Sequence, residues 1–225
     1  MSGRDQVLAN IRRSLGVTGV EAPRRRAVAA RIAEAPAGVV PARGQLPPEA
    51  RVKLFLDMVV GAQGTVGEVA GPHAVPEAIA DVLRRHNLPL RLRRGADPRL
   101  DALPWHETPI EVAVGPSSGH DEVAVSHAEA GVAESGTVVM LSGADNPTTL
   151  NFLPDLHIVL VRRGDVVGDY ETVWRRLRAT RGAGNLPRTV NFITGPSRSA
   201  DIEQKLLLGA HGPRRFHVIV VGDGG

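Results

Sequence analysis

The segments 136–141 (GTVVML), 156–162 (LHIVLVR) and 216–221 (FHVIVV) are short and apolar on both faces of any strand they form. Such strands need cover on each side, as central strands have in a parallel sheet flanked by helices. Further strand-like segments lie at 65–70, 88–93, 110–114, 123–127 and 189–194, and helical segments at 75–86, 169–180 and 199–208. This alternation predicts an α/β fold with a mainly parallel open sheet and flanking helices. The stretch 110–162 is nearly all strand and turn, so the alternation is expected to break there.

Val7, Leu8, Ile11 and Leu15 fall at helical spacing, with Asp5 in the first turn and Gly16 where a C-cap belongs. From 17 to 46 the chain is rich in Ala, Pro, Gly and Arg with no sustained apolar period, and reads as an arm or linker. Its Arg24, Arg25 and Arg26 read as a solvated turn in preference to an anion or partner site. Pro47 and Pro48 can open the next helix, with Val52, Phe55, Leu56 and Val59 on its apolar face. The expected organisation is an N-terminal helix and Arg/Pro/Ala-rich arm over 1–46, followed by one domain over 47–225.

Composition narrows the chemistry. No cysteine is present, which removes disulfides, thiolate nucleophiles and iron–sulfur ligation by the chain's own thiolates. The pI near 10.1 invites a nucleic-acid reading, yet the net charge is only +3. The pI is high because just two of the 27 basic residues, Lys53 and Lys205, are lysine and one tyrosine is present, so almost nothing titrates between neutrality and pH 10. Residues 51–225 carry 19 basic against 20 acidic side chains, and aromatics make up 3%, so neither a basic face nor a stacking surface for nucleic acid is expected. No segment approaches the roughly 20 apolar residues of a membrane span, and 1–16 lacks the apolar centre of a secretory signal. A cytoplasmic protein with no membrane span is therefore expected. The eight histidines show neither HxH nor HExxH spacing, so no metal site is expected. No GxGxxG opens a helix after a strand either.

Three stretches can carry chemistry. In 189–221 a strand ends at Thr194, Gly195 and Pro196, and Ser197, Arg198 and Ser199 then lead into an expected helix with Asp201 and Glu203 in its first turn. Ser197 and Arg198 suit a carboxylate or phosphate at a helix start, while an N-cap with dipole-complementing acids accounts for the same letters. His211, on a turn after Gly209, is either a general acid–base group or a turn hydrogen-bonder. In 128–140 Glu134 stands beside Ser135 and Gly136 at the mouth of a strand, where it can be a base, a nucleophile or an anchor for turn N–H groups. His157, in 153–158 (LPDLHI), starts a strand, where a core or turn histidine competes with a ligand-binding one.

Together, 130–137 (AGVAESGT), 153–158 (LPDLHI) and 193–213 (ITGPSRSADIEQKLLLGAHGP) resemble the lactate utilization protein C family, built on the lactate utilization (LUD) domain. The resemblance covers roughly 47–225. It implies a NagB/RpiA/CoA-transferase-like fold and a place as a non-redox subunit in a three-component system oxidising L-lactate to pyruvate. The subunit would bind a small carboxylate or organise partner proteins that carry the iron–sulfur clusters. The family's motif positions select Glu134, Thr137, His157, Ser197, Arg198, Asp201, Glu203 and His211 as the cleft. In that cleft Glu134, Asp201 and His211 are the expected catalytic residues, and Ser197, Arg198, Thr137, His157 and Glu203 the expected substrate-binding ones. Ser135 and Ser199 stand where the family more often has threonine, and both keep the hydroxyl. The alternative on the same fold is a free-standing acyl/CoA transferase-like enzyme using Glu134, or a sugar-phosphate isomerase-like enzyme.

Overall fold

The computed structural model describes residues 2–182, 184–199, 207–209 and 211–224. The chain divides between Val39 and Val40 into two compact units. In the smaller one, α1 (Gly3–Leu15) starts on a capping box in which Ser2 and Asp5 satisfy each other's backbone N–H groups, and stops at Gly16 with φ 64°. A second helix, α2 (Ala22–Glu34), occupies the segment expected to be a linker. Alanine and arginine are strong helix formers and Pro23 sits in the first turn, so the segment is helical without an apolar stripe, and none of it is buried.

Residues 40–46 belong with the larger unit. Gly44 is buried against the backbone of Gly168, and Gln45 Nε2 donates to Asp169 Oδ2 at 2.9 Å. The helix α3 (Pro48–Gly61) follows and buries Val52, Phe55 and Val59. Six strands make a fully parallel sheet: β1 (Thr65–Val69), β2 (Arg91–Arg94), β3 (Glu111–Val114), β4 (Val123–His127), β7 (Leu156–Arg162) and β12 (Arg215–Val221), in the order β1-β12-β7-β4-β2-β3. The helices α4 (Val75–Arg85) and α5 (Pro98–Asp101) belong to the connections after β1 and β2. Between β4 and β7 the chain leaves this sheet, as the density of strand signals in 110–162 requires, and builds a second one.

That second sheet joins β5 (Ala130–Val132), β6 (Thr137–Leu141), β8 (Val166–Val167) and β9 (Val190–Ile193) in the order β8-β5-β6-β9. Two of its three pairings are antiparallel, and β5 with β8 is parallel. The short helix α6 (Thr149–Phe152) precedes β7, and α7 (Tyr170–Arg181) follows β8.

The pleat sorts side chains into layers. Leu156, Ile158 and Leu160 of β7 join Ile219 and Val221 of β12 against Val75, Ile79 and Leu83 of α4. The intervening Val159, Val161, Phe216, Val218 and Val220 face Phe55 and Val59 of α3 and Val138 and Met140 of β6. On the other face of β6, Val139 packs with Val132, Val173 and Leu177, which brings in α7. Both faces of the central strands are thus covered, as their continuous apolar runs demand.

The helix expected at 199–208 is overturned at both ends. Arg198–Ser199 (β10) and Leu207–Leu208 (β11) pair antiparallel. The cause is a pair of backbone bonds between distant residues: the Ser197 N–H donates to Pro213 O at 2.9 Å and Ser197 O accepts from Gly209 N at 3.0 Å, which draws the backbone into an extended clasp. Since β9 lies in the second sheet and β12 in the first, 189–221 is not one strand–loop–helix–strand unit. Asp201 and Glu203 lie outside the described residues. No helix among the described residues is long and apolar enough to cross a membrane.

Candidate functional site

The turn between β5 and β6 is tightly held. Gly136 has φ 66°, and a Cβ there would stand 2.4 Å from the Val59 backbone nitrogen at the end of α3. Only glycine combines that dihedral with that approach. The turn places Glu134 in the interior, 4% exposed. Its N–H donates to Gly168 O at 3.2 Å, and its Oε1 accepts from the N–H of Tyr170, the first residue of α7, at 3.3 Å. Its Oε2 is buried with no hydrogen-bond partner among the described residues. A carboxylate at the start of a 12-residue helix is favoured by the helix dipole. The cap of α7 itself comes from Asp169, which accepts from Thr172 N at 2.8 Å, so Glu134 is not needed for that role.

Beside Glu134 four hydroxyls meet. Ser135 Oγ lies 2.8 Å from Thr137 Oγ1 and 2.7 Å from the Tyr170 hydroxyl. Thr137 Oγ1 is 2.8 Å from that same hydroxyl and 2.6 Å from Thr194 Oγ1. Each hydroxyl has one proton to give, so Thr137 donates to one of its three neighbours and accepts from the others. Thr137 is fully buried while Thr194 is exposed, so the hydroxyls form a path from the interior to the surface. Phe192 of β9 packs its ring 5.4 Å from that of Tyr170 and steadies it.

The remaining selected residues fall elsewhere. Ser197 and His211 do meet: Ser197 Oγ accepts from the His211 N–H at 3.2 Å, but the His211 side chain is exposed. Arg198 is exposed, with Nη1 3.5 Å from Gln63 Oε1. Thr194 connects this loop to the hydroxyl cluster along three residues of chain. His157 sits in the core, with Nε2 3.1 Å from Ser126 Oγ and its ring edge-on to Phe216 at 6.1 Å. Complete burial pushes its pKa down to about 3, so the ring is neutral. It shares no hydrogen bond with the Glu134 group. Among the described residues no group of three or more His, Asp or Glu is placed to hold a metal ion.

The sequence reading passed over Tyr170. A signal was available, because the chain's single tyrosine opens the helix expected at 169–180.

The LUD domain family model matches residues 55–221. The chain belongs to the LUD domain family. The match spans the whole parallel sheet, the Glu134 turn, the hydroxyl cluster and the Ser197–His211 clasp. Lactate utilization protein C of Halalkalibacterium halodurans is 39% identical over 120 residues, 53% of this chain and 52% of that protein. Its counterpart in Shouchella clausii is 37% identical over 102 residues, 45% and 44% of the two chains. The chain spans about half the length of the curated relatives it matches. The crystal structure of a DUF162 family protein from Deinococcus radiodurans superposes with a TM-score of 0.60 at 24% identity, covering 79% of this chain and 99% of that one. That likeness establishes the fold of this LUD domain.

Proposed function

We propose that this LUD domain protein takes part in lactate utilization, in the cytoplasm, as the subunit that carries no cluster of its own and works beside iron–sulfur partner proteins. The likeness to proteins named lactate utilization protein C carries the reading. The lack of cysteine fits it, since thiolate-held clusters must then sit on other chains. Lactate oxidation breaks the 2-hydroxyl O–H bond and the C2–H bond. The proton needs a base on the protein, and the hydride, with its two electrons, must reach a cofactor on a partner. Glu134, with one buried oxygen unpaired and the hydroxyl path beside it, is the base this chain offers. His211 is the alternative base at the clasp, where Ser197 and the exposed Arg198 can hold a carboxylate.

The test is co-purification of the full chain with iron–sulfur partners, followed by lactate-dependent dye reduction with and without it. We expect reduction to require this chain and to fall at least ten-fold with Glu134→Gln. Undiminished reduction without the chain overturns the reading.

The unpaired Glu134 oxygen also favours a second reading, acyl or CoA transfer. The carboxylate would attack an acyl-CoA thioester and release CoA, and the CoA thiolate would then attack the anhydride, leaving a glutamyl thioester and freeing the acid. Incubation with acyl-CoA and mass spectrometry decide it. A CoA adduct on Glu134, or the side-chain alcohol that borohydride makes of it with release of CoA, supports transfer, and the absence of both excludes it.

A further inference from the structure

The chain's positive charge is concentrated in its N-terminal unit. Residues 1–39 hold seven arginines against Asp5, Glu21 and Glu34, a net of +4, while 40–225 hold 20 basic against 21 acidic side chains. Among the described residues none of those seven guanidiniums has a carboxylate within ion-pair distance. Two of the three acids are already engaged in their own turns. Asp5 Oδ2 accepts from Ser2 N at 3.0 Å, and Glu21 accepts from Thr18 Oγ1 at 2.9 Å and Gly19 N at 3.0 Å. Arg24, Arg25 and Arg26, expected on a solvated turn, stand near the start of α2 instead, with no acid in its first turn to offset them. Three cations there oppose the helix dipole, and an anion brought from outside relieves them.

Beside these arginines lies an apolar groove of about 350 Å³. Its floor is Val28, Ala29 and Ile32 of α2, too few to register as a stripe in the sequence, with Val17 beside them. Positions 25, 28, 29 and 32 follow the i, i+3, i+4, i+7 spacing of one helix face, so Arg25 continues the ridge and Arg24 adjoins it. Val28 is 52% and Ile32 75% exposed, and no residue of α1 or α2 is buried. A helix of 13 residues is marginal without an apolar face packed on something. This face has nothing on it.

The lining discriminates between occupants. A second copy of the unit would set arginines against arginines. Interfacial helices enter a lipid surface on tryptophan, phenylalanine or leucine, and α2 has none of these, nor does 1–39 contain an aromatic residue. A helix from another protein can supply both apolar side chains for the floor and carboxylates for the guanidiniums, which take them through paired hydrogen bonds.

We propose that this groove docks an acidic amphipathic helix of a partner protein, its apolar side chains on Val28, Ala29 and Ile32 and its carboxylates on Arg24 and Arg25. The LUD domain match begins at residue 55, so the surface lies outside it. It shares no residue with the Glu134 centre or the Ser197–His211 clasp and stands whether or not the protein acts on lactate.

The test is fluorescence anisotropy of the full chain with a labelled synthetic helix of about 15 residues, alanine-rich, with leucine at i, i+4 and i+7 and glutamate around them. A counterpart with lysine in place of glutamate is the control. We expect saturable binding of the acidic peptide and at least ten-fold weaker binding of the lysine one. Val28→Gln with Ile32→Gln, and separately Arg24→Gln with Arg25→Gln, should each weaken binding of the acidic peptide at least ten-fold. Glutamine is a good helix former and all four positions are exposed, so circular dichroism should report an unchanged fold. No saturable binding of the acidic peptide to the folded protein overturns the proposal. Unchanged affinity in the Val28/Ile32 variant does so too, since charge alone would then be at work. Vesicles of phosphatidylglycerol and phosphatidylcholine, and sedimentation velocity of the chain alone, check the other occupants. Binding to vesicles in preference to the peptide, or a dimer that the Val28/Ile32 variant dissolves, overturns the assignment to a partner helix.

Discussion

Glycine 136 sets the position of Glu134, and its replacement measures how rigid the turn is. An alanine there meets both a left-handed backbone and a Cβ 2.4 Å from the Val59 nitrogen. Those two effects, strain and overpacking, cost about 1–3 kcal/mol each, so Gly136→Ala is expected to lose several kcal/mol in urea unfolding. Gly164→Ala, with no atom within 4 Å of the added Cβ, should lose little. Tyr170→Phe removes one hydroxyl from the Ser135–Thr137 cluster and is expected to lower stability by about 1–2 kcal/mol, read in the same unfolding measurement. The sequence singled out Glu134, Ser135, Gly136 and Thr137 because a carboxylate beside glycine and hydroxyls is locally unusual. It did not single out Tyr170, whose hydroxyl arrives from an element 33 residues beyond Thr137 and is placed by tertiary packing, on Phe192 among other neighbours.

Among the elements, α7 is the one whose start bears on the site, and its cap can be tested. Asp169 accepts from Thr172 N, Thr172 Oγ1 and Gln45 Nε2, and these bonds hold its carboxyl below the usual range against the opposing effect of burial. Asp169→Ala should cost about 1–2 kcal/mol, and Asp169→Asn, which keeps an acceptor, less than half of that. Equal losses in both would mean that charge, and not the acceptor, carries the effect. The central strands were legible because β7 and β12 are apolar on both faces, and α3 and α4 because proline opens each and an apolar face follows. The two-residue β8 and three-residue β5 are too short for any period to register. The leucine-rich stretch before Gly209 fits helix and strand alike, and the deciding bonds, from Ser197 to Gly209 and Pro213, join residues 12 and 16 positions apart. The order of strands in the sheet depends on such distant pairings throughout, and local pattern is silent about them.

For the whole molecule, the parallel sheet buries three imidazoles, and that ties its stability to pH. Burial lowers the pKa of His157 to about 3 and that of His217 to about 4, and it lowers His127 as well. The unfolded chain protonates each near pH 6.5, whereas the fold admits the proton only at lower pH. Between those values the unfolded state binds more protons, so stability is complete above about pH 7 and falls as the pH drops. Each histidine contributes a slope of up to about 1.4 kcal/mol per pH unit in that window. The hydrogen-bonded acids Asp97 and Asp169 have lowered pKa values, so their contribution is lost only as the unfolded state's carboxylates take up protons, from about pH 5 downward, and does not mask the histidine effect above that. Urea midpoints measured at pH of about 7.5, 6 and 5 should therefore decline steadily. His157→Gln should flatten the decline by one proton's worth, even though losing the ring's packing on Phe216 lowers the starting value. Midpoints that stay level from neutrality to pH 5 would mean that these rings take up protons inside the fold, which a sheet covered on both faces does not allow.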